Sequence, residues 1–173
     1  MTIPFQPRDD AGKIRVLMVC LGNICRSPTA EAMLRHKVHE AGLDDRVEVD
    51  SAGTADYHVD SPPDRRAIAH GERRGLKMKH LRGRQVSRAD FDRFDFVLAM
   101  DDDNLAGLKR AQPAGSRAKV ALLMSYAPAA GSREVPDPYY GGAEDFERVL
   151  DLVDLAADGF IAELTSKQGQ GRR

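Results

Sequence analysis

Cys20, Arg26 and Ser27 are the residues whose types and spacing suit chemistry on an oxyanion. The thiol ends a short apolar run. Leu21, Gly22, Asn23, Ile24 and Cys25 separate it from the arginine, and a Ser-Pro pair that marks a helix start follows. So short a loop between a strand and a helix can curl its backbone N–H groups toward one centre, forming an anion nest. The helix N-terminus adds partial positive charge, and Arg26 offers a planar fork matched to two oxygens of a tetrahedral oxyanion. Donors that hold a dianion also stabilise a thiolate beneath it, so Cys20 is expected to be ionised at neutral pH and set for in-line attack on phosphorus. Gly22 suits unusual backbone angles, and Asn23 is among the few other residues that tolerate the left-handed region. Ser27 can cap the helix and also donate to the sulfur when sulfur becomes the leaving group. A lone cysteine at a strand end is ordinarily a small buried hydrophobe; Arg26 and the helix start at this spacing reverse that preference. The Gly-Lys-Ser/Thr nucleotide loop and the dinucleotide glycine pattern are absent.

The elements that must position this loop follow from hydrophobic periodicity. "IRVLMVC" (14–20) is nearly continuous and rich in branched residues, as for a parallel strand buried on both faces. Ser27 as N-cap, Pro28 at the first turn, Ala30, Met33, Leu34, Val38 and Ala41 at helical spacing, and Gly42 as a stop define the next helix. Its opposite face carries Glu31, Arg35, His36, His39 and Glu40. Residues 46–53 alternate as a strand, 61–75 read as a Pro-started helix, and 87–100 give a helical turn and the strand Phe94–Met100. Asp101, Asp102 and Asp103 open another helix as caps serving its dipole rather than as a magnesium site. Residues 119–126 form a further strand, a Pro- and Gly-rich loop runs to Gly142, and Phe146 to Leu164 keep the spacing of a long amphipathic helix. Strands alternating with helices imply one doubly wound α/β domain around a mainly parallel sheet of about four strands, helices on both faces. In such sheets the ligand crevice lies at the carboxyl ends of the strands, where Cys20 sits.

Composition sets the outer bounds. The 173 residues suit a single domain over 13–166, with a flexible arm at 1–12 and a disordered tail at 167–173. A balance of 26 basic and 27 acidic side chains leaves a formal net charge of -1, so no global basic field favours nucleic acid or an anionic membrane. The first residues lack the pattern of a signal peptide and no apolar run spans a bilayer, so a cytoplasmic protein is expected. Two cysteines supply neither a disulfide framework nor a four-thiolate zinc site, and no histidine pair has metal spacing: no metal and no cofactor are expected. His36, His39, His58 and His70 fit solvated faces. The basic stretch 82–88 also fits a solvated face, or meets an acidic substrate surface.

"VCLGNICRSP" (19–28) resembles the active-site loop of the low-molecular-weight protein tyrosine phosphatases, and "VPDPYYGG" (135–142) resembles that family's Asp-Pro-Tyr loop. "VDSAGT", "PPD" and "FDFVLAMDDDNL" fall in family order, so the likeness covers roughly residues 13–165. The resemblance implies a flavodoxin-like fold and metal-free hydrolysis of phosphotyrosine in protein substrates, phosphate or other oxyanions being held in the nest. It makes Cys20 the nucleophile, Arg26 with residues 21–27 the phosphate binder, and Asp137 the general acid and then base. Tyr139 and Tyr140 become one wall of an aryl slot and Tyr57 the other, and Ser51 and His80 supports of Asn23. Cys25, five positions from Cys20 in a curled loop, is either an inert core thiol or the partner of Cys20 in a protective disulfide. Ile24 points away from the related arginine phosphatases, which tend to carry threonine there and phenylalanine in the acid loop. Arsenate reductases share this type of loop but need downstream cysteines that this chain lacks. Cys20, Arg26 and Asp137 together argue against a non-catalytic phosphotyrosine-binding module.

Overall fold

The computed structural model describes residues 12–170, with side chains as far as Ser166. The expected arm at 1–12 therefore lies outside the described residues, apart from Gly12. Strands β1 (Ile14–Cys20), β2 (Val47–Gly53), β3 (Phe96–Ala99) and β4 (Lys119–Leu122) form one parallel sheet in the order β2-β1-β3-β4. Helices α1 (Arg26–Glu40), α2 (Arg65–Arg73), α3 (Asp90–Arg93), α4 (Asp102–Ala111) and α5 (Ala143–Gln170) complete a single α/β domain.

β1 is apolar except at Arg15 because both its faces are covered. Val16, Met18 and Cys20, with Phe96 and Leu98 of β3, pack into the cluster that holds the inner faces of α1 and α5. Leu17, Val19, Val97 and Ala99 point the other way, onto Phe91, Phe94 and Leu108. This period of two follows from strand geometry. The chain runs outward from β1 to β2 and then crosses back to β3, so the strand order reverses between β1 and β3. Cys20 and the segment after β3 end at that switch point, where a parallel sheet opens its crevice.

Several boundaries differ from the periodicity. β4 stops at Leu122, where the Ser125 hydroxyl takes the Leu122 carbonyl at 2.7 Å and residues 123–126 tighten into a 3₁₀ turn. That turn sets Tyr126 edge-on to Phe160 of α5, with centroids 5.1 Å apart. α2 begins only at Arg65, because Asp64 caps it by accepting from the Arg66 N–H at 2.8 Å. α1 ends as expected, with Gly42 at φ +70. α5 continues to Gln170, past the expected end of the domain at 166; the last residues, 171–173, lie outside the described part. His70 is not solvated: it is buried, stacked on Phe146 at 5.7 Å and within 2.7 Å of the Glu147 carboxylate. On the face of α1 assigned to solvent Arg35, His39 and Glu40 are exposed, but Glu31, in the first turns, is buried at 1% exposure against Ser51 of β2; Ala41 is exposed.

Candidate active site

β1 delivers Cys20 to the floor of the crevice, and the loop after it turns its carbonyls outward. Thr54 N–H takes the Cys20 carbonyl at 2.9 Å, Ala55 N–H takes that of Leu21 at 3.0 Å, and Asp64 N–H takes that of Ile24 at 2.8 Å. The Cys25 carbonyl accepts from the Thr29 hydroxyl at 2.7 Å. With the carbonyls engaged outside, the N–H groups of Leu21, Gly22, Ile24, Cys25, Arg26 and Ser27 donate to no protein acceptor among the described residues. Such a row of unsatisfied donors at a helix start is an anion site. The Asn23 N–H differs: it reaches Cys20 Sγ at 3.3 Å. Gly53, opposite Cys20 in β2, allows this closure, since a Cβ there would stand 2.7 Å from the Leu21 carbonyl oxygen.

The strained residue of the loop is Asn23, at φ +58, as its type suggests; Gly22 has no positive φ. Gly22 instead abuts His58, whose Cδ2 would lie 3.1 Å from an added Cβ. Asn23 holds its backbone angle by bonding on all sides. Its Nδ2 donates to Ser27 Oγ at 2.8 Å and to Ser51 Oγ at 3.0 Å, and its Oδ1 accepts from the Arg84 N–H at 3.0 Å. Ser51 in turn donates to Glu31 at 2.6 Å. Burial pushes the Glu31 carboxyl up to about 7, against the opposing pull of Arg35 and of the Ser51 hydroxyl.

This network corrects two expectations. His80 does not support Asn23: it is exposed and lines a separate cavity with Arg35, His36, His39 and Lys77, and the Arg84 N–H takes the role expected of it. Ser27 does not cap α1. The helix starts at Arg26 with no side-chain cap, and Ser27 Oγ lies 3.0 Å from Cys20 Sγ. That hydroxyl accepts from Asn23 and has two acceptors in reach for its own proton, the sulfur at 3.0 Å and the Ala52 carbonyl at 3.4 Å.

Arg26 is buried and held by Asp101 and Val135. Its NH1 lies 2.6 Å from Asp101 Oδ2 and 3.0 Å from the Val135 carbonyl, and its NH2 lies 3.7 Å from Asp137 Oδ2. Asp101 does cap α4, through its other oxygen and the Asn104 N–H at 2.8 Å. The anchoring of Arg26 was not read from the sequence. Its signal was a carboxylate immediately after β3, at the same end of the sheet as Cys20.

Cys20, Ile24, Arg26, Asp137, Tyr57, Tyr139 and Tyr140 share a cavity of about 260 Å³ with Leu21, Gly22, Cys25 and His58. The three tyrosines thus line the cavity that holds Cys20, Tyr139 and Tyr140 edge to face at 4.8 Å. His58 was missed as a lining residue, because a lone histidine in a loop carries no spacing signal. Both thiols are free, and burial aided by nearby Asp64 pushes Cys25 up to about 12, so it keeps its proton. No group of three metal-ligating side chains that could hold an ion occurs among the described residues.

Comparison with known proteins agrees with this geometry. The family model described as low molecular weight phosphotyrosine protein phosphatase matches residues 15–170. A Schizosaccharomyces pombe protein of that name is 48% identical over 145 residues, 83% of this chain and 92% of its own. The crystal structure of a protein tyrosine phosphatase from Entamoeba histolytica, with Hepes in its active site, matches with a TM-score of 0.86 at 36% identity, over 90% of this chain and 99% of that one. A Drosophila arginine phosphatase matches with a TM-score of 0.82 at 35% identity, covering 87% of this chain and 98% of that one. The chain belongs to the low molecular weight phosphotyrosine protein phosphatase family. Its reaction class is accordingly that of a hydrolase acting on phosphoprotein esters.

Proposed function

We propose that the protein hydrolyses phosphotyrosine through a cysteinyl-phosphate intermediate. The Cys20 sulfur attacks phosphorus while the bond to the aryl oxygen breaks, and Asp137 gives its proton to that oxygen. Water then attacks phosphorus, Asp137 accepts a water proton, and the P–S bond breaks with the Ser27 hydroxyl donating to the departing sulfur. Arg26 and the loop N–H groups hold the three non-bridging oxygens throughout, supplying the charge stabilisation that metal ions give elsewhere. The observation that carries this reading is the convergence on one cavity of a sulfur contacted at 3.0 and 3.3 Å, an arginine anchored at 2.6 Å and an aspartate 3.7 Å beyond it.

The aromatic walls select a long aryl ester over a short alkyl one, and Ile24 in place of threonine disfavours phosphoarginine. Substrates are phosphotyrosine proteins of the cytoplasm, with inorganic phosphate as a product that competes for the same nest. No helix among the described residues is long and apolar enough to cross a membrane. The test is turnover of p-nitrophenyl phosphate and of matched phosphotyrosine, phosphoserine and phosphoarginine peptides in EDTA. Activity that survives chelation and favours phosphotyrosine is expected. Loss on chelation with recovery in magnesium contradicts the mechanism, and equal turnover of phosphoarginine contradicts the selectivity.

A further inference from the structure

Arg66 lies outside the reacting set, yet its guanidinium joins the two loops that must meet over the phosphate. Its Nε and NH2 pair with Asp64 at 3.1 and 3.0 Å. Asp64 is itself fixed, because its backbone N–H holds the Ile24 carbonyl of the phosphate loop and its carboxylate caps α2. From the other side, Arg66 NH2 donates to the Tyr139 carbonyl at 2.8 Å and NH1 reaches the Gly141 carbonyl at 3.4 Å. The cation rests over the Phe146 ring at 4.7 Å, at the start of α5, with Tyr139 at 5.7 Å. Tyr139 in turn uses its N–H to hold Asp137 Oδ1 at 3.1 Å, while Oδ2 is the oxygen nearer Arg26.

We propose that Arg66 is a positioning residue for proton donation: by clamping Tyr139 and Gly141 to the phosphate loop through Asp64, it holds Asp137 with Oδ2 toward the leaving oxygen. The proposal rests on Asp137 being the general acid. Pro138 is buried, but the Asp137 side chain beside it is nearly half exposed, so the bond from the Tyr139 N–H is left to fix that carboxylate. The planar, five-donor guanidinium serves Asp64 and two carbonyls together, which an ammonium on a flexible stem does not.

Arg66→Ala and Arg66→Lys, beside Asp137→Ala, test it with phenyl phosphate, p-nitrophenyl phosphate and inorganic phosphate as inhibitor. A carboxylate displaced by about an ångström costs on the order of 10²-fold in a step that depends on it. Arg66→Ala should therefore lose about 10- to 100-fold in kcat/KM on phenyl phosphate, a parameter that ends with departure of the leaving group, and no more than about threefold in kcat/KM on p-nitrophenyl phosphate, whose leaving group needs little protonation. Inhibition by phosphate should stay within about twofold, since the nest is intact. Arg66→Lys should fall between Ala and wild type, and it carries the test if the alanine variant does not fold. If Asp137→Ala shows the leaving-group dependence and both Arg66 variants lack it, the clamp is wrong and the acid assignment stands. If Asp137→Ala lacks it as well, the acid assignment fails and the clamp with it. Equal losses on both esters with weakened phosphate inhibition would make Arg66 a support of the phosphate loop and overturn its role toward Asp137.

Discussion

Residues 20–27 and 135–142 face each other across the same cavity, but they are held by different means. In the phosphate loop Asn23, Arg26 and Ser27 are 3%, 3% and 0% exposed, and side chains of β2, the carboxylate after β3 and backbone of the 80s segment hold them in place. In the acid loop Val135 and Pro138 are buried, but Tyr140 is 95% exposed and the Asp137 side chain 46%, and the outer part of the loop is tied down by Arg66 on the Tyr139 and Gly141 carbonyls. Binding and nucleophilic attack are thus built into a preassembled site, whose donors need no reorganisation as charge develops. Proton donation depends on a peripheral loop. The two functions should separate under mutation.

The largest effect is expected from Cys20→Ser. A serine hydroxyl is not ionised near neutrality, so hydrolysis should fall below detection, while the N–H groups and Arg26 still bind phosphate. Isothermal titration with phosphate checks the second half; a variant that loses phosphate binding along with turnover would show that the loop is not preassembled. Next comes Asp137→Ala, which removes only proton transfer, worth about 10²–10⁴-fold. Its defect in kcat/KM, which ends with departure of the leaving group, should be severe for phenyl phosphate and milder for p-nitrophenyl phosphate. Equal slowing of both esters in a folded variant would put the acid elsewhere.

Asp101→Asn sharpens the comparison from the buried side. The amide keeps an oxygen for the Asn104 N–H, so α4 stays capped, but the charged partner of Arg26 is gone. A charge-assisted bond is worth about 1.5–3 kcal/mol, so phosphate inhibition should weaken by roughly tenfold or more. The ratio of the two esters should not change; a changed ratio would mean that Asp101 acts through Asp137.

The smallest effect concerns stability rather than rate. Glu31, pushed up to about 7 from its ordinary 4.5, keeps its proton in the folded chain across a pH window where the unfolded chain has lost it. Stability should therefore fall as pH rises from 4.5 through 7, the cost being fully present above 7 and on the order of 3 kcal/mol or less. Glu31→Gln carries no charge at any pH. Denaturant midpoints at pH 5 and pH 8 should lie closer together in that variant than in wild type, and an unchanged gap would assign the pH dependence to other groups.

The sequence was readable where one local pattern decides the outcome. Cys20, Arg26 and a helix start within eight residues specify the nest, and β1 reads as central because its run is apolar on both faces. It was unreadable where one residue serves two partners or the partner is distant in sequence. Asp101 is a genuine cap, and that role hid its second oxygen on Arg26. Glu31 falls beside Arg35 and His36 on a helical wheel, which cannot show that β2 covers it. His80 failed as a support because Gly83 packs tightly on the His58 backbone and brings the Arg84 N–H to Asn23. Arg66 and Tyr139 are 73 residues apart, so no spacing rule links them.

The central claim is that phosphorus becomes bonded to Cys20. Its most direct test is to quench the wild-type protein in alkaline denaturant during turnover of p-nitrophenyl phosphate and map the phosphorylated residue by mass spectrometry, with Cys20→Ser in parallel. The account predicts a phosphoryl group on Cys20 that is absent from the serine variant. A phosphoryl group on a histidine or on Cys25, or one that persists in the serine variant, would contradict it.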